Sequence, residues 1–169
     1  MGCMWSSADL VGGGYRIKII KKIAEGGFSQ ARVPIRIDSA RDQQRLIDEA
    51  AELCSMPYRA PELFDCRIGS VITEAVDLWS LGCCLYALCY FVSPFDLVYE
   101  KGNSVALAAQ SPEKIQYPDV KRFDQRLIDV IRSLLVVQPN ERLSVQEVTS
   151  LITSLEKDSR SSGQSHVIV

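Results

Sequence analysis

A glycine-containing turn near the start of the chain is the first feature whose residues could bind a ligand. Ala24-Glu25-Gly26-Gly27-Phe28-Ser29 follows residues 15–23, in which apolar and polar residues alternate. Glycine has no Cβ, so the backbone at Gly26 and Gly27 can approach a phosphate group closely. Gly26, Gly27, Phe28 and Ser29 are therefore the candidate phosphate-binding residues, although glycine turns are common and this signal alone is weak.

Cysteines are the other side chains with reactive potential. The chain has six, Cys3, Cys54, Cys66, Cys83, Cys84 and Cys89. No two of them form a Cys-x-x-Cys pair and the one histidine is His166, so the pattern predicts no metal site. Cys54 and Arg59 are similar to the nucleophile and arginine of a cysteine phosphatase loop, but their spacing is one residue short. The apolar run that holds three of the cysteines favours free thiols and a reducing compartment.

Composition and charge restrict the class of protein. With 169 residues, 47% hydrophobic and 24% charged, the chain can form one globular domain with a real core. A net charge of −2 provides no general attraction for nucleic acid. Residues 78–95 carry no charge and reach the lower length limit of a membrane span. The polar residues and the proline within this segment, with Asp77 beside it, favour a buried core helix instead.

The elements that must position these residues are mainly helical. Apolar residues recur at helical spacing over residues 41–54, 74–91, 104–110 and 125–137. Ser144-Val145-Gln146-Glu147 is a capping box that starts one more helix. Residues 15–23 predict a strand, and Pro34 restricts residues 33–37 to an edge or a loop. A lone strand cannot bury its face without a sheet, so this combination is physically unusual.

The first residues carry a lipidation pattern. Met1-Gly2-Cys3-Met4-Trp5-Ser6 fits the sequence for N-myristoylation at Gly2, with Cys3 placed beside it for palmitoylation. Two acyl chains anchor a protein stably to a membrane, whereas one does not. The alternative is an unmodified, disordered start. The first residues contain no basic region followed by an apolar stretch, so the sequence does not predict a cleavable signal peptide.

Three motifs in order carry a family resemblance. Tyr58-Arg59-Ala60-Pro61-Glu62 resembles the end of the activation segment of a protein kinase. Asp77-Leu78-Trp79-Ser80-Leu81-Gly82 resembles the start of the central helix of the kinase large lobe, and Pro139-Asn140-Glu141-Arg142 resembles the segment after it. The resemblance implies a buried Glu62–Arg142 ion pair and a role for Asp77 in holding the catalytic loop. It also implies that Ala60, Pro61, Trp79 and Gly82 are structural.

The resemblance extends to one kinase family. A helical stretch before the Ala-Pro-Glu motif, the segment of residues 100–108 and the Met1-Gly2-Cys3 start are similar to the acylated branch of the Numb-associated kinases. On this basis residues 1–13 form a flexible, acylated start and residues 14–157 an incomplete kinase domain. That domain divides into a glycine-loop remnant at 14–29, an activation segment at 31–62 and large-lobe helices at 63–157. Residues 158–169 form a disordered tail.

The residues that perform phosphoryl transfer in kinases are missing from the sequence. No lysine lies between Lys22 and Lys101 to hold the ATP phosphates. There is no His-Arg-Asp and no Asp-Phe-Gly, and Ala40-Arg41-Asp42 has Ile47 where the magnesium-binding asparagine would stand. We therefore expect no catalytic residues, no bound ATP or magnesium, and a missing middle of the domain that joins between Ser29 and Val33.

These observations combine into one expectation for fold and function. The fold class is mainly α, an incomplete protein-kinase-like fold with a helical large-lobe remnant and one or two small-lobe strands. Intact relatives use ATP and magnesium to phosphorylate protein serine and threonine, whereas this chain is catalytically incompetent. The alternative is a membrane-anchored binding module, or a splice isoform, that regulates an intact sibling kinase. The resemblance places it on the cytoplasmic face of membranes in the Golgi region, or otherwise in the cytoplasm.

The missing middle has a structural consequence for the central helix. That helix packs in kinases against elements that this sequence lacks. We therefore expect an apolar face that is partly uncovered, formed by Leu78, Leu81, Leu85, Leu88 and Phe91.

Overall fold

The structure, a computed structural model, describes residues 10–12, 15–17, 34–118 and 122–161, with side chains placed from 34 onward as far as 158. The described chain is mainly helical, as the sequence predicts. Its helices are α1 (Ala40–Leu53), α2 (Ala75–Tyr90), α3 (Asp96–Glu100), α4 (Val105–Ala109), α5 (Gln125–Leu134) and α6 (Val145–Ser161). Short 3₁₀ turns at Met56–Tyr58, Pro61–Leu63, Pro112–Lys114 and Pro139–Glu141 connect them.

Within the described ranges, four short strands form two separate antiparallel pairs. Strand β1 (Leu10–Gly12) pairs with β2 (Tyr15–Ile17), with Leu10 opposite Ile17. A strand within residues 10–12 corrects the expectation of a flexible start up to residue 13. The predicted strand at 15–23 is confirmed for Tyr15–Ile17, and its continuation over residues 18–23 lies outside the described part.

The second strand pair joins the start of the predicted activation segment to the residues just before α2. Strand β3 (Ile35–Arg36) pairs with β4 (Val71–Ile72), with Ile35 opposite Ile72. The Gly69 amide donates to the Ile37 carbonyl at 2.7 Å, with Gly69 in the left-handed region at φ +90°. A two-residue edge strand is thus what Pro34 allows, and β4 is an element that the sequence did not predict.

The helix ends follow local chemistry that is visible in the structure. Helix α1 begins after Ser39, whose Oγ accepts from the Asp42 amide at 3.2 Å. Helix α2 ends where Phe91 adopts a left-handed conformation at φ 61°. Helix α5 ends at Leu134, three residues before the predicted end at 137.

Helix α6 begins at the predicted capping box and runs further than expected. The Ser144 amide donates to the Glu147 carboxylate at 2.8 Å, and the Glu147 amide donates back to Ser144 Oγ at 3.3 Å. The helix continues to Ser161, so residues 158–161 are helical rather than part of a disordered tail. An ion pair between Arg126 and Asp158 ties this extension to the start of α5. Residues 162–169 lie outside the described part.

Helix α2 is the centre of the described core. Trp79 and Cys83 on this helix are fully buried, and Tyr86 and Cys89 continue the same face. The helix packs on α5, which packs in turn on α6. The prediction of a buried core helix over the uncharged segment is therefore confirmed. No helix in the described ranges combines the length and apolar character needed to cross a membrane.

The opposite face of α2 is uncovered in part. Leu81, Leu88 and Phe91 are exposed by 38%, 53% and 79%. Leu85 is half-buried. Leu78 is buried against Val130, Leu134 and Val148, which corrects its inclusion in the uncovered set.

Candidate functional site

The predicted ion pair between Glu62 and Arg142 is present, with bidentate geometry. Arg142 Nη1 donates to Glu62 Oε1 and Nη2 donates to Oε2, each at 2.7 Å. The Arg142 side chain has no exposed surface and that of Glu62 is 14% exposed. Paired, parallel N–H···O bonds of this kind are the strongest and most directional that an arginine makes with a carboxylate.

Backbone carbonyls satisfy the rest of the guanidinium. Arg142 Nη1 also donates to the Ala75 carbonyl at 2.7 Å, and Nη2 to the Val137 carbonyl at 3.1 Å. Its Nε donates to the Val136 carbonyl at 2.7 Å. An arginine has five N–H donors, so with the two bonds to Glu62 every donor is used. A buried charge needs such complete pairing, because its desolvation penalty is otherwise large.

Two proline-initiated turns bring the pair together. Glu62 lies in the 3₁₀ turn Pro61–Leu63, which is held down because Ala60 and Pro61 are buried. Arg142 caps the 3₁₀ turn Pro139–Glu141. Proline fits the first position of a turn because its φ is already close to the helical value. The sequence therefore encodes the geometry of both partners locally, and the fold joins them.

Trp79 and Gly82 show why the central motif needs its residue types. The guanidinium of Arg142 lies over the Trp79 ring at 5.2 Å, and the ring stacks on Phe95 at 5.9 Å. A Cβ at Gly82 would meet the Leu134 Cβ at 2.9 Å, which is closer than real Cβ contacts. Glycine at this position lets α5 approach α2 closely, as expected for a structural residue.

Ser80 is a positioning residue that the sequence analysis did not single out. Its hydroxyl lies 3.1 Å from the Tyr58 carbonyl and 3.1 Å from the Val76 carbonyl. It thus links α2 to the segment that ends at Glu62. Its place inside the central motif was the available signal, because a serine on a buried helix face needs a hydrogen-bond partner.

The role of Asp77 in holding a catalytic loop stays a prediction. It lies in the first turn of α2 and is exposed. No hydrogen bond or ion pair from the described part of the chain reaches its carboxylate. An acidic residue in the first turn still complements the positive end of the helix dipole.

The Cys54–Arg59 arrangement is structural and does not form a phosphatase loop. Arg59 is buried, and its Nη2 donates to the Cys54 carbonyl at 3.0 Å. The guanidinium also lies over the Phe64 ring at 5.1 Å. Burial, with Asp96 nearby, raises the pKa of Tyr58 in the same segment. An arginine bound to the backbone of its own loop is not arranged to cradle a phosphate.

The described cysteines are free thiols, and three of them are buried. Cys54, Cys66, Cys83, Cys84 and Cys89 carry no disulfide. Burial raises the pKa of Cys83, and it also raises the pKa of Cys66 and Cys89. A thiol with a raised pKa holds little thiolate and is a poor nucleophile or metal ligand. No group of His, Cys, Asp and Glu in the described ranges could hold a metal ion.

A surface cleft lies outside all three motifs. Its volume is about 270 Å³, and its lining residues are Pro112, Glu113, Ile115, Tyr117, Arg132 and Leu135. The Arg132 guanidinium lies over the Tyr117 ring at 4.7 Å. Burial raises the pKa of Tyr117 to about 12, and Arg132 offsets this only in part.

The remaining predicted site residues fall outside the described ranges. Gly26, Gly27, Phe28 and Ser29 of the glycine turn lie there, as do the lipidation candidates Gly2 and Cys3. The structure therefore brings together the residues of the three structural motifs and gives no position for the candidate phosphate-binding residues.

Comparison with known proteins identifies the family. The protein kinase domain matches residues 38–151. Over 131 residues the chain is 38% identical to "Serine/threonine-protein kinase 16" of Homo sapiens, a match that covers 78% of this chain. It is also 38% identical over 120 residues to "Serine/threonine-protein kinase ppk13" of Schizosaccharomyces pombe, covering 71% of this chain.

These matches cover only part of each relative. The aligned region is 42% of the human protein and 35% of the yeast protein. The matched residues include the Glu62–Arg142 pair and all of α2, around which the described core is built. The chain therefore belongs to the protein kinase family, among the serine/threonine kinases.

Proposed function

We propose that this chain is a non-catalytic member of the serine/threonine kinase family. The proposal is supported by a contrast. The structural Glu62–Arg142 ion pair is fully formed, whereas the sequence lacks the residues that perform phosphoryl transfer in kinases. All five donors of Arg142 are bonded, so the end of the activation segment is fixed on α2. The lysine, His-Arg-Asp and Asp-Phe-Gly that should precede this anchor are absent from the sequence between Ser29 and Tyr58.

Loss of those groups removes nearly all of the catalytic power. In phosphoryl transfer the protein mainly positions the reactants and neutralises charge through lysine and magnesium. Relatives are named as serine/threonine-protein kinases, and intact relatives would therefore use ATP and magnesium on protein substrates. This chain would bind neither. The proposal includes membership of the acylated Numb-associated branch and a domain whose middle is missing between Ser29 and Val33.

The test measures transfer and nucleotide binding together. The full chain is incubated with radiolabelled MgATP and casein as a general acceptor, and its melting temperature is recorded with and without MgATP. We expect no transfer above a blank and no shift in melting temperature, because a ligand stabilises only a protein that binds it. An active kinase with an intact lysine serves as positive control. Transfer that depends on the chain, or a dose-dependent rise in melting temperature, would contradict the proposal.

A second candidate function is a membrane-anchored binding module. It rests on the continuity of the described core, in which one buried cluster joins α1, the activation segment, α2 and α5. A stable module should unfold cooperatively, whereas a damaged deletion product should not. Its partners would be protein substrates of the family or an intact sibling kinase. A broad, non-cooperative denaturant curve would argue against a module.

The anchor of this module would be acyl chains on Gly2 and Cys3, in the Golgi region. Labelling cells with alkyne analogues of myristate and palmitate tests this directly. We expect both labels on the wild-type chain, neither on Gly2→Ala, and myristate alone on Cys3→Ser. Since two chains are needed for stable anchoring, each variant should shift to the soluble fraction. Label that persists in Gly2→Ala would overturn this assignment.

The origin of the missing middle is tested on the transcript. Full-length reads across the codons for Ser29 to Val33 should show a continuous message. A message that encodes, between the codons for Ser29 and Val33, a strand with the ATP-binding lysine, His-Arg-Asp and Asp-Phe-Gly would contradict the non-catalytic assignment for the natural protein.

A further inference from the structure

We propose that Ser111 is a phosphorylation site for a proline-directed protein kinase, and that Arg132 binds the phosphoryl group once it is attached. Ser111 directly precedes the 3₁₀ turn Pro112–Lys114. Pro112 and Glu113 of this turn line the surface cleft, as does Arg132 on α5. The chain is here the substrate of another kinase, so the inference does not depend on whether it transfers phosphate itself.

The sequence around Ser111 fits what a proline-directed kinase selects. Ser111-Pro112-Glu113-Lys114 places a proline directly after the acceptor serine and a lysine three positions after it. Because proline has no backbone N–H, a kinase can favour it with a pocket that would leave this donor unpaired in other residues. The lysine adds charge complementarity of the kind by which kinases discriminate substrates. The sequence contains one other serine before a proline, Ser93, and no threonine before a proline.

The structure distinguishes the two serines. Ser93 is 4% exposed, and its hydroxyl donates to the Asp96 carboxylate at 2.7 Å. A phosphoryl group on Ser93 would be buried against this carboxylate, which is unfavourable for two like charges. Ser111 is half-buried, and its hydroxyl caps no backbone amide of the turn that follows. Of the two, Ser111 is therefore the accessible acceptor.

The segment around Ser111 is held by local hydrogen bonds. The Ser111 amide donates to the Ala108 carbonyl, and the Lys114 amide donates to the Ser111 carbonyl, each at 3.0 Å. Gln110, Glu113 and Lys114 are exposed. Segments with few buried contacts and mainly local hydrogen bonds open at a low free energy. Ser111 can therefore enter the active site of a kinase while the core around α2 stays folded.

Arg132 is available to bind the phosphoryl group. Its side chain is 49% exposed and lies over the Tyr117 ring. Within the described part of the chain its ion-pair partner is Asp129, at 3.6 Å, which is too long for a hydrogen bond. A phosphate monoester has nearly two negative charges and three acceptor oxygens, so it forms shorter, charge-assisted bonds with a guanidinium. Lys114 adds a second cation, and Glu113 is the carboxylate that opposes binding.

The modification is a phosphoryl transfer from MgATP held by the modifying kinase. Ser111 Oγ forms the new bond to the γ-phosphorus, and the bond from that phosphorus to the oxygen that bridges it to the β-phosphate breaks. ADP leaves with this electron pair, and the hydroxyl proton passes to the catalytic base of the modifying kinase. The product ties the turn after α4 to α5 through Arg132.

Phosphorylation of the full chain by a cyclin-dependent kinase, used as the proline-directed probe with MgATP, tests the site. We expect modification of Ser111, identified by fragmentation of the tryptic peptide 102–114. Pro112→Ala should lower the initial rate about tenfold or more, and Ser111→Ala should abolish the modification of this peptide. Ser150→Ala, at an exposed serine of α6, is the matched control and should leave the rate unchanged. Label on the chain without added kinase would contradict the non-catalytic proposal and not this one.

A ³¹P NMR titration of the phosphorylated chain tests the role of Arg132. The second pKa of phosphoserine is about 6, and a bound guanidinium lowers it because it favours the dianion. Lys114 acts in the same direction, whereas Glu113 and Asp129 act against it. We expect a lower midpoint in the folded chain than in concentrated urea. Arg132→Gln should remove most of this difference.

Arg67→Gln is the matched control for the titration. It changes another exposed arginine, on the loop between the 3₁₀ turn Pro61–Leu63 and β4, and should leave the phosphate midpoint unchanged. Equal urea midpoints for Arg67→Gln and Arg132→Gln would show that both variants fold.

Three results would overturn the proposal. One is a chain that takes no phosphoryl group on Ser111. A modified peptide of residues 106–118 would then show that the folded turn stays closed, and an unmodified peptide would show that its sequence is not selected. Another is modification of Ser93 at the same rate as Ser111. The third is a phosphate midpoint that Arg132→Gln leaves unchanged, which would show that Arg132 does not bind the group.

Discussion

One face of helix α2 is buried and the other is largely exposed. On one face Trp79 is fully buried beneath the saturated Arg142 guanidinium and against Phe95. On the other, Leu88 and Phe91 are mostly exposed. Both faces are apolar, so hydrophobicity alone does not explain the difference. What differs is whether the described part of the chain supplies an element that packs against the face.

The two faces of α2 therefore differ in whether residues from distant parts of the described sequence pack against them. The buried face is specified by paired residues far apart in sequence, such as Glu62 and Arg142, which are 80 positions apart. The exposed face has no such counterpart within the described residues. A helix of this kind keeps its local fold while it retains a surface that favours association.

Breaking the anchor should have the largest effect on stability. Glu62→Gln removes the negative charge and one of the two side-chain acceptors, so the buried Arg142 guanidinium keeps only neutral partners. We expect a loss of about 3–5 kcal/mol in the free energy of unfolding, measured by urea denaturation. Glu52→Gln on the exposed side of α1 is the matched control and should change stability by less than about 0.5 kcal/mol. Equal effects of the two variants would show that the pair is not an anchor.

Adding a methyl group at the contact between α2 and α5 should have the next largest effect on stability. In Gly82→Ala the new methyl group would meet Leu134 Cβ at 2.9 Å, and a Cβ cannot move away as a flexible chain end can. Overpacking of this kind costs about 1–3 kcal/mol, against a gain of up to about 1 kcal/mol in helix propensity. We expect a net loss in the urea midpoint. Cys84→Ala, on the exposed face, should not show it, and a stabilised Gly82→Ala would contradict the close approach.

Alkaline pH should lower the free energy of unfolding through the buried Tyr117. Burial raises the pKa of Tyr117 from 10.0 to about 12, so the unfolded chain loses this proton before the folded chain does. The resulting stability is fully present below pH 10 and is lost as pH rises towards 12. Urea midpoints at pH 8, 10 and 11 should therefore fall, and they should fall less in Tyr117→Phe. Identical declines in both proteins would assign the effect to other groups, such as the buried thiols.

Changing the exposed face should have the smallest effect. Leu88→Gln should alter the free energy of unfolding of the monomer by no more than about 0.5 kcal/mol. Leu134→Gln, on the buried side, is the contrasting variant, and loss of packing plus an unpaired amide should cost it at least about 2 kcal/mol. Both are measured at concentrations too low for association. A large cost at Leu88 would mean that this face is packed in solution.

The sequence predicted the parts of the fold that rest on local or paired signals. The ranges of α1 and α2 and the capping box at Ser144 follow from spacing, whereas the Glu62–Arg142 pair follows from the resemblance to kinases. The sequence analysis did not predict helix α3, whose N-cap Phe95 has no side-chain acceptor. The Asp96 carboxylate at its start instead accepts from the Ser93 amide at 2.6 Å.

Other features depend on contacts that no local pattern contains. Helix α5 ends at Leu134, and in the segment that follows it Arg142 binds the carbonyls of Val136 and Val137. Strand β4 has two residues and exists only through its pairing with β3. Of the candidate site, the structural residues were predictable from motifs, whereas Ser80 required knowledge of which carbonyl lies opposite it.

The saturated guanidinium of Arg142 has a consequence for proton exchange. Its side chain has no exposed surface and each N–H is bonded, so solvent deuterium can reach these protons only when the surrounding structure opens. Arginine side-chain protons in water exchange too fast to persist, whereas these should be protected like core amides. Their decay in deuterated buffer would therefore report how often the contact between the activation segment, α2 and the Pro139 turn comes apart.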